Sequence, residues 1–144
     1  MVEKAFLERV ASDTACPRYI LEELYYVGDY DILLLLAKNP STPAHILDLL
    51  AKIEPSYERK IKTVVARNSS TARGTLALLA EDENPTVRSA VASNKTVSIE
   101  ILENLAYDES PVVRLQVAEN PRTPYKLKYM LWQDKEILRL LSLF

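Results

Sequence analysis

The chain has 144 residues, enough for one domain whose core buries roughly two thirds of the unfolded surface. With 48% apolar and 26% charged residues it is too apolar for disorder, and a net charge of −2 excludes a chain drawn as a whole to nucleic acid or anionic membrane. Cys16 is the only cysteine, which excludes an internal disulfide, and two glycines against eight prolines call for turns built on capped helix ends. The start, MVEKAFLERV, holds no long apolar run, and the longest such run, ILLLLA at 32–37, is too short to span a bilayer. A cytoplasmic helical protein is expected.

The first element is a lone helix at about 2–11, half of a repeat. After it one phrase recurs: VASDTACP at 10–17, LAKNPSTP at 36–43, VARNSSTA at 65–72, VASNKTVS at 91–98 and VAENPRTP at 117–124. Its alanine falls at Ala11, Ala37, Ala66, Ala92 and Ala118, so the steps are 26, 29, 26 and 26 residues. A three-residue loop insertion within AKIEPSYERK at 51–60 accounts for the long step. In register, Leu21, Leu47, Leu76 and Leu102 form one column, and Leu24, Leu50, Leu79, Leu105 and Leu131 another. Before each phrase stand Phe6, Ile32, Ile61, Val87, Val113 and Ile137, and four residues on Val10, Leu36, Val65, Val91, Val117 and Leu141. Spacings of three and four mark one face of a helix, so each unit holds two helices and the chain eleven.

The phrase is the corner between the two helices. Thr42-Pro43 and Thr123-Pro124 are expected as N-cap and first helical residue, the threonine oxygen accepting an orphan N–H. Asn39, Asn68, Asn94 and Asn120 follow the preceding helix, where asparagine tolerates the left-handed conformation, and are expected to cap nearby backbone. Asn84-Pro85 and Ser110-Pro111 begin the second helices by the same N-cap chemistry. Ala51, Ala80 and Ala106 are expected where helices approach closely. Helices this short are not stable alone, so the units must stack. The expected fold is one all-α domain over 1–144, an α-solenoid of about five 26-residue two-helix repeats starting near 11, 37, 66, 92 and 118.

The corner N-P-x-T-P preceded by V-R, as in Val91–Val117 and beyond, resembles the bacterial leucine-rich repeat variant (LRV) family over almost the whole chain from Val10. The resemblance implies a right-handed, HEAT-like superhelix of α-helices alternating with shorter, partly 3₁₀ helices, used as an interaction scaffold. It also implies bacterial origin. One member of that family carries an iron–sulfur cluster on clustered cysteines; Cys16 stands alone, so no cofactor is expected. Lys128 and Trp132 replace a core leucine and a core alanine, and Cys16 and Tyr25 stand for the threonine and alanine of the first copy, as suits terminal units.

Two sets of side chains are candidates for binding a partner. Lys62, Arg88 and Arg114 share one column of the second helix; they either hold an acidic segment or phosphates, or pair with Asp82, Glu83, Asp108 and Glu109, and the pairing is preferred. Tyr125, Tyr129 and Trp132, at i, i+4 and i+7, share a stripe that either closes the end of the stack or forms a contact surface, self-association being the simplest case. Catalysis has no candidate: His45 has only Asp48 near it in sequence, and Gly28 and Gly74 cannot build a phosphate loop. The expected function is therefore non-enzymatic binding of another protein or peptide, with no membrane partner. Nucleic acid is the alternative, held by the basic column with the corner cations Lys38, Arg67, Arg73, Lys95 and Arg122.

Overall fold

A computed structural model describes residues 2–53 and 58–143. Among the described residues all regular structure is α-helical: α1 Val2–Ser12, α2 Arg18–Val27, α3 Tyr30–Lys38, α4 Ala44–Ala51, α5 Glu58–Arg67, α6 Arg73–Ala80, α7 Pro85–Ser93, α8 Ile99–Leu105, α9 Pro111–Glu119, α10 Tyr125–Leu131 and α11 Lys135–Leu141. Eleven helices among the described residues is the number the columns predict. Part of the insertion within 51–60 lies outside the described residues. The short helices are α and not 3₁₀: their N–H groups bond four residues back, as Leu33 does to Asp29, Arg88 to Asn84 and Leu138 to Asp134, and the side chains of Asp29, Asn84 and Asp134 cap the first turns of α3, α7 and α11. Ser110 occupies the N-cap of α9, but its side chain makes no cap bond.

The odd-numbered helices pack on one another in sequence, and α4, α6 and α8 do the same in a second layer. The core lies between the layers. Every member of the two leucine columns is buried there, as are Ile32, Ile61, Val87, Val113 and Ile137, and the phrase alanines. The columns thin at the ends: Phe6 is 60% exposed and Leu141 is exposed too, since the terminal helices are covered on one side only. Helix lengths of 7–11 residues make this interlayer burial the main source of stability. Among the described residues no helix is long and apolar enough to cross a membrane.

The corners differ from expectation in two ways. Pro43 and Pro124 are themselves the N-caps, with ψ near 142°, and Thr42 and Thr123 point backward. Their hydroxyls donate to the Leu36 and Val117 carbonyls at 2.7 and 2.6 Å, and Thr71 does the same to Val65 at 2.6 Å. The threonines thus cap the C-terminus of the helix before them, where carbonyls lack intrahelical donors. Where Val97 replaces the threonine and Ser98 the proline, the expected N-cap returns: the Ser98 hydroxyl accepts from the Ile101 N–H.

The asparagines are extended, not left-handed; Asn94 has φ −67° and ψ 130°. Each side chain does two jobs. Its oxygen accepts the N–H two residues on, at 2.7–2.9 Å, which shapes the corner. Its amide reaches into the preceding unit: Asn94 Nδ2 donates to the Ala66 and Asn68 carbonyls at 2.7 and 3.1 Å, and Asn39, Asn68 and Asn120 repeat the pattern. All four side chains are buried. An extended backbone is needed for this, because a left-handed residue would turn the amide away from the neighbouring corner. The first corner has Asp13 in the column; its carboxylate accepts the Ala15 N–H and has no amide to send backward. Cys16, in the threonine column, is buried, and burial pushes its thiol above the ordinary range.

Candidate functional site

The repeat places two loop edges on opposite sides of the stack. The corners at 39–43, 68–72, 94–98 and 120–124 line one; the loops at 81–84, 107–110 and 132–134 line the other, which is acidic. The basic column meets this acidic edge. Arg88 binds Asp108 through two nitrogens at 2.7 and 3.0 Å, Glu109 at 3.3 Å, and the Asp82 and Glu83 carbonyls at 2.9 and 3.0 Å. Arg114 repeats the set with Asp134 at 2.8 Å, Glu136, and the Asp108 and Glu109 carbonyls. Lys62 reaches Asp82 at 3.2 Å.

Arg88 and Arg114 each clamp the loop before their own helix to the chain that begins the next odd-numbered helix. The Arg88 and Asp108 side chains are only 9% and 7% exposed. Burial works to raise the Asp108 carboxyl, but the Arg88 hydrogen bonds, the Ser110 N–H and the two arginine charges outweigh it and hold the group below the usual carboxylate range. Arg114 lowers Asp134 by its hydrogen bond in the same way. Lys62, Arg88 and Arg114 are therefore engaged inside the protein, and the pairing reading of this column describes them.

The corner edge is different. Lys38, Arg67, Lys95 and Arg122 are exposed and form no ion pair among the described residues, whereas Arg73 pairs with Glu100. Lys38 and Arg67 close the last turns of α3 and α5, where the helix dipole favours a cation. His45 and Asp48 do not act together: the imidazole Nε2 lies 3.4 Å from Glu22, and Asp48 is held by Lys52 at 2.7 Å and by Thr75 at 3.1 Å.

The aromatic stripe gathers at the other end of the even layer. Unlike α4 with α6, or α6 with α8, helices α8 and α10 make no extensive contact, and a groove of about 510 Å³ opens between them. Leu127, Pro124, Met130, Tyr107 and Tyr129 line it, with Glu103 on the α8 wall and Lys126 on the α10 wall. The Tyr107 hydroxyl lies 3.9 Å from the Met130 sulfur. Tyr107 is 75%, Tyr125 83% and Tyr129 62% exposed, so these rings do not cover the end of the core; Trp132, at 40%, is the member of the stripe most engaged with the stack. Tyr107 and Met130 were not among the sequence candidates. The available signal was a column: Lys52, Glu81 and Gln133 are polar where Tyr107, like Tyr26 in the first unit, is aromatic.

No protein-family profile, curated protein or solved structure matches this chain.

Proposed function

We propose that the protein is a non-catalytic binding scaffold whose partner-binding surface is the α8–α10 groove. Its stack is read as the right-handed solenoid of five repeats that the LRV resemblance implies. The observation that carries the function is the exposure of Tyr107 and Tyr129 over an apolar floor of Leu127, Pro124 and Met130. Tyrosines held on short, well-packed helices lose little entropy on binding and supply the anchors that dominate interface energies. Two of the recurring polar sets that a stack could otherwise offer are consumed: the asparagines tie corner to corner, and Arg88 and Arg114 tie loop to loop.

A second reading rests on the corner edge, where Lys38, Arg67, Lys95 and Arg122 could follow a phosphate backbone. It is the weaker one, because the corners carry no aromatic side chain on which a base could stack, and two of the four cations serve helix ends. A native pull-down of the full chain separates the two. The expected result is a nuclease-resistant protein partner that Tyr129→Ala removes and that a Lys38→Glu, Arg67→Glu, Lys95→Glu, Arg122→Glu variant keeps. Nucleic acid lost with the second variant and with added salt would establish the corner edge instead.

A further inference from the structure

We propose that the occupant of the α8–α10 groove is a second copy of this chain, docked about a two-fold axis that runs along the groove. The inference rests on the reading of the groove as a protein-binding surface. It follows from the charge of the walls. Glu103 projects from α8 and Lys126 from α10, both are exposed, and neither has an ion pair within the chain among the described residues. A two-fold rotation about the groove direction lays the α8 wall of each copy over the α10 wall of the other. Glu103 then meets Lys126 of the second copy, and the same pair forms again by symmetry. A two-fold across the groove would instead stack Glu103 on Glu103 and Lys126 on Lys126, so charge selects one arrangement.

The apolar content is of the right order. A ring fully buried at an interface covers roughly 150–250 Å². The exposed parts of Tyr107 and Tyr129, with Met130, therefore supply the apolar centre of an interface that for a standard complex covers roughly 800 Å² per partner. The arrangement is isologous and closed: each copy uses its groove once, and the dimer leaves no further groove open to extend into a fibre.

Sedimentation equilibrium of the full chain, over a dilution series, tests this. Wild type is expected to sediment as a dimer that dissociates on dilution. Glu103→Lys and Lys126→Glu should each weaken the dimer by roughly tenfold or more, since each puts two like-charged pairs in contact. The two substitutions in one chain should bring the dissociation constant back to within about threefold of wild type, which a damaged fold would not do. A wild type that stays monomeric, or a dimer indifferent to both reversals, overturns the proposal. A monomer that still captures another protein in a Tyr129-dependent way overturns the second copy while leaving the groove as the binding surface.

Discussion

Replacing Asn94 by alanine is expected to cost about 3–5 kcal/mol of stability. The Asn94 side chain is 2% exposed, and its amide is a donor to both Ala66 and Asn68 carbonyls in the preceding unit. A buried carbonyl stripped of a donor costs about 1–3 kcal/mol, most of it at Ala66 since the Asn68 carbonyl keeps the Thr71 N–H, and the lost bond from the Thr96 N–H adds to it. Against the 5–15 kcal/mol typical of a domain, that is a large share of the total. Asn94→Asp should be worse near neutral pH, although the carboxylate keeps the Thr96 bond, because it points an anion at two carbonyl oxygens. Lys95→Ala, on the same corner but exposed, should change stability by no more than about 0.5 kcal/mol. Urea unfolding of the three variants provides the comparison; an Asn94→Ala loss no larger than that of Lys95→Ala would contradict the ladder.

The second large effect is expected at Arg88. Arg88→Ala leaves Asp108 buried without its main partner and strips the donor from the Asp82 and Glu83 carbonyls, a loss of about 3–5 kcal/mol at neutral pH. Changing Arg88 to Leu together with Asp108 to Asn should cost much less, since no charge is then stranded and Leu33 already fills this column in an earlier unit. The pH dependence fixes the mechanism. In the wild type the folded Asp108 carboxyl lies below its unfolded value, so its contribution is fully present above about pH 4 and is lost as pH falls through the lower folded value. In the variant the Arg88 hydrogen bonds and charge that oppose burial are gone and only the Ser110 N–H and the Arg114 charge remain, so the carboxyl rises and acid more readily neutralises the stranded charge. The gap between wild type and Arg88→Ala should therefore narrow from pH 7 to pH 3. A gap that is constant with pH would mean that Arg88 acts through packing alone.

What the sequence shows of the fold is its periodic part. The leucine and valine columns locate both helices of each unit and their buried faces, because a core position tolerates few residue types and repeats them. The corners are less legible. Thr42 before Pro43 has the composition of an N-cap, yet its hydroxyl serves the helix behind it, and composition does not say in which direction a hydroxyl turns. Asn39 and its counterparts can be recognised as corner residues from one unit alone, but their amides bond to a different unit, and only the three-dimensional step between units reveals that. Asp13 carried the clue: the column switches from amide to carboxylate in the first corner, where the backward bond is not made.

The same distinction applies to the site. Arg88 and Asp108 are readable as a pair, since an aspartate precedes each arginine by six residues and the arginine reaches the next aspartate twenty residues on. The stripe Tyr125, Tyr129 and Trp132 is readable from its helical spacing. The groove is not, because Tyr107 and Met130 come from different units and face each other only where α8 and α10 part.

The most direct test of the groove as the binding surface is photocrosslinking in the cells that make the protein. A photoreactive benzoylphenylalanine would replace Tyr129 in one full-length variant and Lys95, on the corner edge, in another. The predicted result is a discrete protein adduct, a second copy included, from position 129 and none from position 95. Adducts from position 95 alone, to protein or to nucleic acid, would contradict it and place the binding surface on the corner edge.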